Sequence, residues 1–155
     1  MNNHNQWTLR DFTVSDDTAR VDVDVVWNYL KRSYWAEGIP RDVVERAIAN
    51  SLNFGMYRGG EQIGFARVIT DYATFAYIAD VFVVEAFRSQ KLAVWLMECV
   101  AAHPRLQGFR NTMLGTRDAH TLYEKTGFAP LAIPERWMQR LDPDVYRRAP
   151  GDEPR

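Results

Sequence analysis

Apolar positions recur along this chain in two periods, and the switches between them outline its elements. From Trp7 to Val14 apolar and polar residues alternate, with Trp7 and Leu9 followed by Phe12 and Val14, which predicts a strand with a slip near Asp11. Ser15-Asp16-Asp17-Thr18 offers N-cap oxygens ahead of a helical segment ending near Arg32, with Val25, Val26, Tyr29 and Leu30 on one face. An aromatic-rich loop, Ser33 to Ile39, leads to Pro40, which opens a second helix with Val43, Val44, Ala47 and Ile48 on its apolar side. Phe54–Tyr57 and Gln62–Thr70 predict two strands joined through Arg58-Gly59-Gly60-Glu61, and Phe75–Val84 predicts a third. Leu92, Leu96, Cys99, Val100 and His103 then fall on one stripe of a helix stopped by Pro104. A strand at Asn111–Thr116, a short helix at Asp118–Thr126 closed by Gly127, and late strands at Phe128–Ile133 and Trp137–Leu141 complete the pattern.

The predicted order is β-αα-βββ-α-β-α-ββ, an α+β arrangement in which the helix before Asn111 permits one parallel pairing inside a mostly antiparallel sheet of six to seven strands. Its 155 residues match one domain, expected over residues 1–146, with a flexible Pro- and charge-rich tail at 147–155. Nineteen basic and twenty acidic residues leave a net charge of -1 and no basic stripe, which argues against nucleic acid as a partner. No apolar stretch approaches the ~20 residues of a membrane span, and the first residues lack a secretory pattern. A single cysteine, Cys99, agrees with a reducing compartment, so a cytoplasmic location is expected.

Several chemistries find no support in the pattern. Cys99 lies in an apolar helix stripe and is expected to be an inert thiol. His4, His103 and His120 show no metal-ligand spacing, so no metal is expected, and no glycine-rich dinucleotide or ATP loop occurs.

Two segments carry a positive signal. Asp80-Val81-Phe82-Val83-Val84-Glu85-Ala86-Phe87-Arg88-Ser89-Gln90-Lys91-Leu92-Ala93 resembles the strand, Arg/Gln-x-x-Gly-x-Gly/Ala turn and following helix of the GNAT N-acetyltransferases. Ala119-His120-Thr121-Leu122-Tyr123-Glu124-Lys125-Thr126-Gly127-Phe128 is similar to that family's Ala-x-x-Leu-Tyr-Glu-Lys-x-Gly-Phe, and the resemblance, topology included, covers about Leu9 to Leu141. It implies the GNAT acyltransferase fold with about four helices, acetyl-CoA as co-substrate, and transfer of acetyl to a primary amine of a small molecule by direct attack. A helix N-terminus can hold a pyrophosphate with free N–H groups and its dipole, so Arg88, Ser89, Gln90, Lys91, Leu92 and Ala93 are the implied cradle. The backbone of Phe82 and Val83 is implied to pair with the pantetheine.

The chain departs from the pattern at Lys91, where glycine is usual. Its side chain either crowds the pyrophosphate or turns away and adds attraction. That departure motivates a second reading, a catalytically weak relative that binds acyl-CoA or another small ligand as a sensor.

The resemblance makes Tyr123 the general acid, a role suited to a phenol protonated at neutral pH. Asp80 interrupts an apolar strand, so it serves either as the base for the attacking amine or as a structural acceptor, for instance of Arg67. Tyr29, Tyr34, Trp35, Asp71, Tyr72 and Tyr77 are the candidates for the acceptor pocket, although an aspartate placed as Asp71 is more often a turn residue. A homodimer is plausible by analogy with the family.

Overall fold

A computed structural model describes residues 3–149 together with 151 and 152. Its first departure from the alternation pattern comes at once. Residues 7–14 do not form one strand with a slip: β1 (Gln6–Leu9) and β2 (Phe12–Ser15) are an antiparallel hairpin turned through Arg10 and Asp11. Arg10 takes a left-handed φ of 54° without a glycine, so the usual hairpin signature is missing from the sequence.

The predicted first helix is also divided. Asp17 caps a single 3-10 turn at Thr18–Arg20, and Asp22 then caps α1 (Val23–Leu30), its carboxylate accepting from the N–H groups of Asp24 and Val25. Helix α2 (Arg41–Ala49) follows after Pro40. Val26 and Leu30 of α1 and Val44 and Ile48 of α2 are buried together with Phe65 and Phe82, so the helical hairpin covers one face of the sheet.

β3 (Leu52–Arg58), β4 (Glu61–Thr70) and β5 (Phe75–Val83) continue the meander. Helix α3 (Leu92–Ala101) covers the other face, burying Leu92, Leu96, Cys99 and Val100 on the stripe its sequence predicts. β6 (Asn111–Leu114) then pairs parallel with β5, as a helical crossover allows, and α4 (His120–Glu124) follows. The sheet runs β1-β2-β3-β4-β5-β6, the mixed α+β architecture expected from the element order.

Neither late strand forms. Residues 128–133 and 137–141 are irregular around a 3-10 turn at Pro134–Arg136. Pro130 removes a backbone donor from the middle of the first of these segments, and Pro134 opens the 3-10 turn between them. Within the tail, Arg147 pairs with Glu37 and Asp144, and Arg148 with Asp142, so residues 147 and 148 are tied to the body; residues 150 and 153–155 lie outside the described ones. No helix among the described residues is long and apolar enough to cross a membrane.

A buried polar knot fastens the β1–β2 hairpin to the end of α3. His103, 1% exposed, accepts the Arg105 N–H at Nδ1, which leaves Nε2 to donate to Asp16 Oδ2 at 2.9 Å. The Asn5 backbone and side chain donate to the two oxygens of the same carboxylate at 2.8 Å each. Burial works to raise the pKa of Asp16, and the hydrogen bonds from Asn5 and His103 outweigh it, holding the carboxyl below its ordinary value. Replacing Asp16 by Ala should therefore cost about 2–3 kcal/mol at pH 7, since it orphans charge-assisted bonds in a buried site. A group with a lowered folded pKa stabilises above its unfolded pKa and loses that contribution as pH falls through the folded one. In urea titrations the difference between wild type and variant should therefore be full at neutral pH, begin to shrink below about pH 4 and go on shrinking as the pH falls through the lowered folded pKa.

Candidate active site

The site begins with a register error in the sheet. Arg67 pairs with Ala79 and Phe65 with Phe82, so Asp80 and Val81 together stand opposite the single residue Ala66. Asp80 takes a left-handed φ of 55°, a conformation that aspartate tolerates better than most side chains. The bulge bends β5, and β5 pairs with β6 only from Phe75 to Ile78. Beyond Ile78 the two strands part, and the backbone of residues 79–83 has β4 on one side and no strand on the other.

The mouth of this parting holds a row of side chains in contact. Asp80, mostly buried, accepts from Arg67 Nε at 2.8 Å through Oδ2 and from the Trp35 indole N–H at 3.0 Å through Oδ1. Arg67 also donates to Ser51 Oγ at 3.1 Å. The ring of Tyr34 meets that of Trp35 edge-on at 5.1 Å, and its hydroxyl accepts the Arg117 N–H at 2.9 Å, with the Arg117 guanidinium 3.9 Å from the ring centre. Tyr123 of α4 is 9% exposed; burial, with a smaller contribution from neighbouring Tyr34, pushes its phenol up to about 12. Tyr77 lies on the helical-hairpin face of β5, and a Cβ on Gly115, at the end of β6, would sit 3.6 Å from its hydroxyl. Tyr34 and Trp35 thus tie the α1–α2 loop to both sides of the parting.

At the other end of the parting stands α3. Lys91, its N-cap, has φ 60° and ψ 20° and donates no side-chain cap, so the N–H groups of Leu92, Ala93 and Val94 precede the first intrahelical bond, Trp95 N–H to Lys91 O. Lys91 is exposed, and Ser89 is also left-handed at φ 66°. The left-handed geometry at Lys91 explains why glycine is usual there. On the side away from β4 the backbone of 79–82 has no strand neighbour, Val83 O being taken by Arg88, and α3 offers uncapped N–H groups, so these residues fit an extended chain ending in a pyrophosphate.

Arg88 turns back from the cradle: its Nε donates to Val83 O at 3.2 Å and Nη2 to the Tyr29 hydroxyl at 2.7 Å. Tyr29 itself stacks on Phe82 with centroids 4.0 Å apart, so it serves as a wall between α1 and β5. Phe82 and Val83 have buried side chains and pair with Phe65 and Gly64 of β4. Gln90 offers its carbonyl to Arg10 Nη2 at 3.3 Å. Arg10 comes from the β1–β2 turn, 80 residues away in sequence, and no local pattern marks it as a neighbour of the cradle.

Two pocket candidates do not join the site. Asp71 and Tyr72 belong to the β4–β5 turn, at the start of β5, whereas the parting lies beyond Ile78. The Asp71 carboxylate accepts from the Thr74 hydroxyl and from the N–H groups of Ala73, Thr74 and Phe75, bonds that hold it far below the usual carboxylate range. It is a turn residue. Tyr72 packs under Arg105, whose guanidinium is 3.7 Å from its ring centre, beyond the C-terminal end of α3. Arg117 was invisible to sequence reasoning for the opposite reason: it lies in an ordinary loop, and only the folding of Tyr34 against it brings it to the mouth.

The arrangement is a sheet that parts beside an uncapped helix N-terminus. Residues 7–128 match the Acetyltransferase (GNAT) family, and the chain belongs to it. It is 30% identical over 142 residues, covering 77% of this chain and 79% of the relative, to a Gibberella zeae protein named a putative acetyltransferase. A crystal structure of a putative GNAT-family acetyltransferase from Xanthomonas campestris pv. campestris superposes with a TM-score of 0.87 at 43% identity, covering 91% of this chain and all of that one. A GNAT-family acetyltransferase from Elizabethkingia anophelis with acetyl-CoA bound shares the fold at a TM-score of 0.61, 18% identity and 78% coverage of both chains. The protein is therefore an acetyltransferase of this family, whose acetyl donor is acetyl-CoA.

Lys91 carries the strain of a left-handed residue with a Cβ, a cost on the order of 1 kcal/mol. Lys91→Gly should raise unfolding stability by roughly that amount, read from the urea midpoint at constant slope. An unchanged or lower midpoint would mean that the lysine conformation is unstrained.

Proposed function

We propose that this chain transfers the acetyl group of acetyl-CoA to the primary amine of a small molecule by direct attack, with Tyr123 as the proton donor. The observation that supports the reading is the buried phenol of Tyr123, which lines a cavity beside Ile78 and Leu114 and is close enough to Tyr34 to feel its charge, while Tyr34 packs on Trp35 and Trp35 donates to Asp80. Acetyl-CoA, when bound, supplies an acyl thioester whose carbonyl carbon a neutral amine can attack, breaking the carbon–sulfur bond. Residues 79–82 would hold the pantetheine by backbone pairing, and the N–H groups of Leu92 and Ala93 the pyrophosphate.

Asp80 is held at Oδ2 by Arg67, so Oδ1 is the oxygen that meets the acceptor. The half-exposed Trp35 indole occupies it now, and an acceptor ammonium can take the same place. Asp80 then orients the amine while its proton leaves to water. The exposed rings of Tyr34, Trp35 and Tyr77 offer apolar surface suited to a compact amine with an apolar body. On the leaving side Tyr123 gives its proton to the departing sulfur and recovers one from solvent.

Lys91 favours this reading over a ligand-binding relative without turnover, because it is exposed and its side chain makes no cap bond at the start of α3. Coenzyme A binding with no thiol release across a panel of small amines would reverse that preference.

Tyr123→Phe should reduce turnover roughly 10²-fold or more while calorimetry shows coenzyme A binding within about twofold of wild type. Because the raised phenol stays protonated, kcat/KM should climb with pH as the acceptor amine deprotonates, with no falling limb from Tyr123 before about pH 10. Unchanged turnover in the phenylalanine variant would remove Tyr123 from the mechanism.

Asp80→Asn keeps an acceptor for Trp35 but strips the charge facing Arg67. It should raise KM for the amine about tenfold with a smaller change in KM for acetyl-CoA, and cost about 1–3 kcal/mol of stability. Equal effects on both KM values would mark Asp80 as a support of the bulge alone.

A further inference from the structure

A cavity of about 680 Å³ lies on the α3 side of β5 and β6. Ala76 and Ile78 of β5 and Met97 and Val100 of α3, all buried, line its depth, and Leu114 and Phe128 flank it. Tyr123, His120 and Glu124 are the ionisable residues of its wall; the last two are exposed, and the phenol is neutral at pH 7 because burial pushes it up to about 12. A hydrocarbon entering this space therefore covers no charge that would have to be desolvated. An acetyl group carries one methyl beyond its carbonyl and leaves such a space unused.

The cavity meets the parting of the sheet. Ile78, paired with Leu114, is the last residue of β5 that β6 holds, and both line the cavity. Gly115 and Thr116, which follow β6, line it as well, together with Tyr123. Tyr123 is thus common to the cavity and to the proton transfer assigned to it above. With that phenol beside the leaving sulfur, the carbonyl bonded to the sulfur stands where the cavity begins.

We propose that the cavity is an acyl-tail site, so that the enzyme takes medium-chain acyl-CoA, of about six to eight acyl carbons, as a donor besides acetyl-CoA. The tail lies between α3 and β6 against Ile78, Met97, Val100 and Leu114. The transfer itself is unchanged: the amine nitrogen bonds to the acyl carbonyl carbon, and the carbon–sulfur bond breaks. The sulfur takes the Tyr123 proton and the amine gives one to water, leaving an amide and coenzyme A. The proposal rests on the placement of Tyr123 at the sulfur, and its test is arranged to separate the two.

Calorimetric titration with acetyl-, butyryl-, hexanoyl- and octanoyl-CoA should show one-to-one binding that tightens along the series. Each buried methylene is worth roughly threefold, so octanoyl-CoA should bind at least about tenfold more tightly than acetyl-CoA. Val100→Phe narrows the cavity from α3, and Thr112→Phe narrows it from an exposed position on β6. Both variants should abolish the gain along the series while binding acetyl-CoA within about twofold of wild type; the second guards against a folding defect in the first. Tyr123→Phe should keep the chain-length preference and lose turnover. With an amine that accepts acetyl, octanoyl-CoA should release its thiol too. Equal affinity along the series, a preference that survives both narrowing variants, or acetyl transfer without octanoyl transfer each overturns the proposal. No thiol release from either donor would instead overturn the catalytic reading, and the affinity series would still decide for or against the tail site.

Discussion

The extra residue in β5 at Asp80 is the constraint on which the rest of the site depends. Two residues of β5 face one of β4, the strand bends, and its pairing with β6 stops at Ile78. Backbone polar groups left without a strand partner must find another, and in this molecule they line the opening that an acyl carrier can fill. The bulge is itself secured by charge. Arg67 projects from β4 onto the same face as Asp80, so the ion pair crosses the irregular part of the ladder and replaces some of the bonding lost there.

From that pair the site extends by contact. Asp80 holds Trp35, Trp35 packs on Tyr34, Tyr34 accepts from the backbone of Arg117 and lies close to Tyr123. Elements from three parts of the chain, the α1–α2 loop, β5 and the β6–α4 connection, are therefore joined through aromatic rings with polar ends. Such side chains suit the task because each presents a large apolar body for packing and one hydrogen-bonding atom for direction. The mouth of the parting is consequently both apolar and oriented.

The far end of the sheet is organised on a different principle. Asp71 satisfies four donors within its own turn, and His103, Asp16 and Asn5 satisfy one another in a buried knot. Those groups are complete in themselves and leave no valence for a ligand. The contrast separates the carboxylates of this protein by what surrounds them: Asp16 and Asp71 close local structure, whereas one oxygen of Asp80 faces a half-exposed indole at the opening.

Legible in the sequence were the order of elements from the helical hairpin to α4, the two apolar faces of that hairpin, the buried stripe of α3 and the family. Each rests on local periodicity or on a contiguous motif, such as Ala119 to Phe128, and local patterns survive whatever the rest of the chain does. The turn chemistry of Asp71 was legible for the same reason. Tertiary structure alone decided that residues 7–14 turn back on themselves at Arg10, that Asp80 occupies a bulge and pairs with Arg67 and Trp35, and that Tyr72 lies beyond the end of α3. It also left Phe128–Ile133 and Trp137–Leu141 unpaired, although their alternation suits strands. A strand is stable only against a neighbour, and which edges are free is a property of the whole sheet, unavailable to any window of the sequence.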